Sequence, residues 1–360
     1  MNTRLVLFTA NVQGGILQLT LQLYKTLREE GYDAKVFIPF ETKNCDKSRI
    51  RKDDLFQYHK EKKIFDMTPY KKIASQIDKL DPEYIWYLDD SVICSDVGLY
   101  LKKSIKQLLT LHDAGTHHPT NSKSIRSVVL EKYTGIINKR FYKRVYRFVL
   151  LSSESVNTFG KLYPEFKEKA RLMTLGAHLP ETGENKPPEI KHEKDYLLFF
   201  GRIDKYKGIS NLLKAYCNVS DEALPLVIAG GGQFTEEEKS LIGNCGNLTV
   251  INRYITDEEM KWLLHHMAAA VLPYIEATQS GVIPLSYLFG KPVLVSDVAG
   301  LTQFVIDHET GIICHSQQEW QSALKAFRPD SEFCKTKNIQ EYYFKNMDWN
   351  NNVRELFSIL

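Results

Sequence analysis

The chain has 360 residues, 43% of them hydrophobic and 25% charged. That composition excludes a disordered or fibrous polypeptide, and the length allows two domains that each bury a core without disulfides or zinc. Net charge is +3, yet residues 1–180 carry 30 Lys and Arg against 20 Asp and Glu, and residues 181–360 carry 17 against 24; the first half is therefore expected to face an anionic partner, a nucleic acid or a membrane surface.

In chain order, Leu5–Thr9 is an apolar run too short for a signal-peptide core and predicts a first strand. A loop, Asn11-Val12-Gln13-Gly14-Gly15, follows it. Apolar residues from Ile16 to Leu27 then recur at helical spacing, and Gly31 stops the helix after Glu30. Ala34–Phe40 predicts a second strand. Residues 42–63 are polar and charged and receive no element. Tyr84–Leu88, Leu108–Leu111 and Phe148–Ser152 predict buried strands, the last followed by a helix from Glu154 to about Leu162.

Pro180–Lys194 is polar and Pro-rich and is the best linker candidate. The pattern then restarts. Strands are predicted at Tyr196–Phe200, Leu226–Ala229, Thr249–Asn252, Ala269–Leu272, Val293–Ser296 and Gly311–Cys314. The helices between them are Ser210–Asn218, Glu236–Ile242, Asp257–His266 and Pro284–Phe289. From Asn338 the chain reads as helical and amphipathic. Alternating strands and helices imply a parallel sheet covered on both faces, so the expectation is a two-lobed enzyme with a cleft between lobes. No stretch approaches 18 apolar residues. The six cysteines (Cys45, Cys94, Cys217, Cys245, Cys314, Cys334) are scattered, with no Cys-x-x-Cys pair, and are expected to be buried thiols.

Four segments can carry chemistry. Gly14-Gly15 lies between the first strand and first helix, where glycines let amide groups approach a ligand; a plain tight turn accounts for it equally well. In Phe200-Gly201-Arg202-Ile203-Asp204-Lys205-Tyr206-Lys207-Gly208 a strand ends in glycine, and Arg202 and Lys207 follow at the mouth of a helix. Ligands of open parallel sheets bind beyond the carboxyl ends of the strands, and a guanidinium with an ammonium suits a diphosphate. Gly230-Gly231-Gly232 again follows a strand and permits close backbone approach, or simply a turn. The loop Ala277-Thr278-Gln279-Ser280-Gly281-Val282 opens a helix, and the amides of Ser280, Gly281 and Val282 are expected to cradle an anion there.

Taken in order, these motifs resemble the retaining glycosyltransferases of the GT-B fold, family four. The likeness covers nearly the whole chain and is strongest from Tyr196 to Ile313. It implies an α/β protein of two Rossmann-like doubly wound domains facing a central cleft, divided as 1–180 for the acceptor, a 181–195 linker, 196–337 for the nucleotide-sugar donor and a 338–360 helical segment able to cross back. It implies transfer of a hexose-type sugar from a nucleotide-diphospho-sugar to a glycan or lipid-linked acceptor in surface polysaccharide synthesis, with retention, no cofactor and no metal. By resemblance, Arg202 and Lys207 hold the donor diphosphate with the Gln279–Val282 backbone. Gly14, Gly15, Gly201, Gly230 and Gly231 approach the donor. Tyr254 and Ile255 meet the nucleobase, and His112 lies beside the transferred sugar. The sequence departs from the family at its pair of Glu separated by seven residues: Glu276 is present, but the second position falls near Leu285 or Ser286.

His112-Asp113-Ala114-Gly115-Thr116-His117-His118 also has metal-ligand residue types, although Pro119 and the loop composition favour a strand-end turn. Residues 122–147 interleave eight cations (among them Lys139, Arg140, Lys143 and Arg144) with apolar and aromatic residues against Glu131 alone. That stretch suits an anionic membrane surface and a cytoplasmic, membrane-peripheral protein; an ordinary solvated helix face is the alternative. Nucleic acid is not expected, because no recognised binding module accompanies the charge. The other functional readings are a nucleotide-sugar epimerase of the same fold and a non-catalytic sugar-nucleotide-binding protein.

Overall fold

The computed structural model describes residues 3–12, 15–42, 46–60, 66–112, 125–179, 182–191, 195–329 and 335–360, with the main chain alone for 125–131. The chain forms two compact units, residues 1–174 with 349–360 and residues 175–348.

The first unit holds seven strands: β1 (Arg4–Phe8), β2 (Asp33–Pro39), β3 (Leu55–Tyr58), β4 (Tyr84–Tyr87), β5 (Lys106–Leu111), β6 (Arg147–Leu150) and β7 (Ala170–Leu172). Its helices are α1 (Gly15–Glu29), α2 (Thr68–Leu80), α3 (Val92–Tyr100), α4 (Ile125–Arg144) and α5 (Ser153–Leu162). All pairings are parallel, in the order β3-β2-β1-β4-β5-β6-β7. A parallel sheet is covered on both faces, which is why its strands are apolar almost throughout: Leu5 to Phe8 and Tyr84 to Tyr87 are all buried.

The second unit repeats the plan with β8 (Tyr196–Phe200), β9 (Leu226–Ala229), β10 (Leu248–Ile251), β11 (Met267–Leu272), β12 (Val293–Ser296) and β13 (Gly311–Cys314). Its helices are α6 (Ile209–Tyr216), α7 (Glu236–Asn244), α8 (Asp257–His266), α9 (Val282–Leu288), α10 (Ala299–Thr302), α11 (Gln317–Ala326) and α12 (Thr336–Asn346). The order is β10-β9-β8-β11-β12-β13, again all parallel. Helices α7 and α8 start at capping boxes, in which Thr235 and Thr256 exchange hydrogen bonds with Glu238 and Glu259. In both sheets the strand order reverses beside the first strand, between β1 and β4 and between β8 and β11, and such reversals leave a crevice at the carboxyl ends of the strands.

In chain organisation and in the state of the cysteines the structure differs from the sequence reading. The 181–195 segment lies within the second unit. Asn185 donates its amide to the Glu258 carbonyl (3.2 Å), Ile190 is buried, and Glu189 is tied down by Arg253, so this Pro-rich stretch is anchored to α8. The 338–360 segment is two helices, α12 in the second unit and α13 (Trp349–Ser358) in the first. In α13, Phe357 packs its ring on Tyr32, Tyr84 and Trp86 at 4.9, 5.6 and 6.2 Å, and Arg354 grips Glu30 through two bonds of 2.7 and 2.8 Å. Finally, Cys217 and Cys245 are joined as a disulfide rather than standing as thiols. They follow α6 and α7, and the ends of those helices bring their Cα atoms to 5.1 Å. Cys94 and Cys314 are buried thiols as expected, and Cys45 and Cys334 lie outside the described residues.

Candidate active site

In the second unit the loops leaving β8 and β11 pack main chain against main chain. Gly208 has φ +68°, and a Cβ there would stand 1.8 Å from the Pro273 carbonyl oxygen. Ile275 donates its amide to the Tyr206 carbonyl at 2.8 Å. Glycine after residue 207 is therefore a condition of the contact.

This contact sets Lys207 over the face of Tyr274, with Nζ 3.7 Å from the ring centroid. Among the described residues the ammonium has no hydrogen-bond or ion-pair partner. Burial, and then the neighbouring Arg202 charge, lower its pKa to about 8, against a smaller opposing effect of Asp204. Arg202 is exposed, its Nε 3.6 Å from Asp204. The Tyr274 hydroxyl and Ser280 Oγ share a hydrogen bond of 3.3 Å, and Ser280 Oγ accepts from the Val282 amide, also at 3.3 Å. The Val282 amide, expected in the anion cradle, thus donates within its own loop. The amides of Ser280 and Gly281 have no acceptor among the described residues, and the half-buried Gln279 keeps an unpartnered Oε1.

The glycine turn after β9 lies against the same loop. A Cβ on Gly230 would fall 1.9 Å from the Gly201 oxygen. Gly201 donates to Ala229 and Ile203 to Gly231, both at 3.0 Å, so Gly201 and Gly230 fix each other's backbone. A Cβ on Gly231 would meet the Arg253 main chain at an ordinary 3.6 Å. Beyond β10, Arg253 forks between Glu189 and Glu259 with four bonds of 2.7–2.8 Å. This rigid anchor presents Tyr254, 63% exposed, while Ile255 is buried and faces the core. Glu276 is exposed and has no polar partner among the described residues. Leu285 and Ser286 are buried, and the Ser286 hydroxyl donates to the Lys291 carbonyl at 2.8 Å.

In the first unit, Gly14 lies outside the described residues, as do Asp113, His117 and His118. Gly15 opens α1 and is exposed; an added Cβ meets nothing within 4 Å, so packing inside the unit does not demand glycine there. His112 follows β5 and donates its Nε2–H to the Leu88 carbonyl at 2.9 Å, which fixes the ring. Sequence reasoning missed Asp89 beside it. This carboxylate is buried yet takes hydrogen bonds from the Thr9 hydroxyl and Ala10 amide, both at 2.7 Å, and from the Ser91 amide at 3.1 Å. Burial works against its ionisation, but the bonds from Ser91, Thr9, Ala10 and Cys94 hold its pKa below the ordinary value. The available signal was a carboxylate immediately after the apolar run of β4.

Along α4, Lys132, Ile136, Lys139, Arg140 and Lys143 are exposed. Arg144, expected on that face, points elsewhere: its Nη2 donates to the Leu101 carbonyl at 2.7 Å and its Nη1 to Leu99, closing the end of α3. Among the described residues no helix is long and apolar enough to cross a membrane.

Residues 181–335 match the family model described as "Glycosyl transferases group 1". That match covers most of the second unit. The chain is 23% identical over 247 residues to an uncharacterized glycosyltransferase of Methanocaldococcus jannaschii, covering 65% of this chain and 55% of that one. It is 28% identical over 147 residues to a D-inositol 3-phosphate glycosyltransferase of an Arthrobacter species, covering 38% and 35%. It thus matches about half the length of the first of these relatives and a third of the second. HepE of Anabaena, solved with UDP and glucose, superposes with a TM-score of 0.74 at 14% identity over 100% of both chains. The chain therefore has the GT-B fold, two Rossmann-like domains.

Proposed function

We propose that this chain transfers a hexose-type sugar from a nucleotide-diphospho-sugar to a glycan or lipid-linked acceptor with retained configuration. The observation that carries the reading is the Lys207 ammonium, held half-buried at the strand reversal with no anion in contact with it among the described residues. A diphosphate supplies that charge. HepE was solved with UDP and with UDP-glucose, which supports a nucleotide sugar as donor.

In this reading the bond between the anomeric carbon and the phosphate oxygen breaks, and its electron pair leaves with the diphosphate. Lys207, Arg202 and the amides of Ser280 and Gly281 stabilise that developing charge. The acceptor oxygen bonds to carbon on the face being vacated, and its proton passes to the departing phosphate oxygen. In the same reading exposed Tyr254 meets the nucleobase, and the Gln279 Oε1 accepts from a donor hydroxyl. The test is thermal stabilisation against a panel of nucleoside diphosphates and their sugars. A donor at 100 times its Kd adds about 2.7 kcal/mol, and no shift with any member of the panel defeats the proposal.

The exposed cations of α4 support peripheral docking on an anionic membrane, with the acceptor supplied there. Wild-type protein is expected to pellet with anionic vesicles, and K139Q/R140Q to stay in the supernatant. Equal pelleting of both sets this docking aside.

A further inference from the structure

The opposite edge of the first sheet, where β5 and β6 begin, carries a second concentration of charge. A cavity of about 270 Å³ is lined there by Lys103, Lys106, Lys143, Arg144, Arg147 and Lys169. The strands are parallel, so this edge is the far end of the sheet from His112 and Asp89.

Four of the six cations are held in place. Arg144 is bonded to the carbonyls that end α3. Lys169 donates to the Val145 carbonyl at 2.6 Å. The Arg147 guanidinium stacks 4.2 Å from the Tyr146 ring centre, and its Nε has no hydrogen-bond partner. Lys106 reaches the Tyr84 hydroxyl at 3.0 Å. Among the described residues Glu83, 3.3 Å from Lys106, is the one carboxylate side chain paired with any of the six. The Tyr146 hydroxyl donates to a main-chain oxygen of Leu360. Burial, and then the Arg147 charge, push the Lys169 pKa down, whereas the contacts with Tyr84 and Glu83 raise that of Lys106.

We propose that this pocket binds a small phosphate-bearing anion. Preset guanidinium and ammonium groups around a concave site are the chemistry that recognises phosphate oxygens. The volume is at or below the lower end for ligand cavities, which fits a pyrophosphate, a sugar phosphate or one lipid phosphate headgroup rather than a whole nucleotide sugar. An occupant would tie the start of β5, the end of α4 and the start of β6 together.

The test is hydrogen exchange read by segment, at constant ionic strength. One arm adds inorganic pyrophosphate and the other adds phosphatidylcholine vesicles containing phosphatidic acid. Segmental readout separates this pocket from the Lys207 loop, so failure here leaves the donor reading standing, and the reverse. Pyrophosphate is expected to protect residues 102–106 and 143–147, with affinity about tenfold weaker in K103Q/K106Q and in R147Q. Protection by vesicles alone, lost in the same variants, supports the pocket and assigns its ligand to a lipid headgroup. No protection of these segments in either arm, or protection undiminished in both variants, overturns the proposal.

Discussion

Lys207→Met is expected to lower sugar transfer by about 10²–10³-fold, the usual cost of removing one group that stabilises a leaving charge, while leaving the melting temperature equal or higher. The two outcomes follow from one fact. The ammonium sits 3.7 Å above Tyr274 with no hydrogen-bond or ion-pair partner among the described residues, so the folded protein without ligand bears its desolvation and its repulsion by Arg202. Methionine fills similar space without charge. The pH dependence has a definite sign. A pKa of about 8 in the fold against 10.5 for an ordinary lysine means the unfolded chain binds more protons between these values. This group's penalty is fully present below pH 8 and is relieved as pH rises toward 10.5. Diphosphate binding should weaken over that interval, as the ammonium loses its proton, and should take up a proton near pH 8. Calorimetry in buffers of different ionisation enthalpy measures both. Full transfer activity in the purified variant removes Lys207 from the chemistry.

Gly208→Ala is expected to destabilise the second unit by more than about 4 kcal/mol, at the extreme of single substitutions. Its Cβ would collide with the Pro273 carbonyl, a main-chain atom that cannot turn aside, at a residue already at φ +68°. Gly31→Ala is the control. That glycine also has a positive φ, +85°, but an added Cβ meets nothing within 4 Å, so its cost is only the left-handed backbone of an L-residue, about 1–2 kcal/mol. Thermal unfolding of both variants separates the two contributions. Equal, small shifts would mean that the loops after β8 and β11 are free to move apart.

Much of this was legible in the sequence because parallel strands buried on both faces must be continuous apolar runs. Tyr196–Phe200, Leu226–Ala229, Val293–Ser296 and Gly311–Cys314 have the predicted ends. β3 was not legible, since Leu55–Tyr58 is a short, half-exposed edge strand inside a charged stretch and buries one residue of four. That Lys207 and Tyr274 both lie just beyond strand ends was legible in the sequence. The commitment of the Val282 amide to Ser280 was not, because a serine hydroxyl competing for an amide is a matter of rotamer and distance. The Cys217–Cys245 bond was equally hidden, as 28 residues of separation carry no information until α6 and α7 are packed.

The last helix has a consequence for how the chain is made. Residues 349–360 complete the first unit, where Phe357 covers Tyr32, Tyr84 and Trp86. A ribosome therefore delivers every residue of the second unit before the first receives its closing piece. The earlier-born half waits with aromatic surface uncovered while the later-born half is already free to fold.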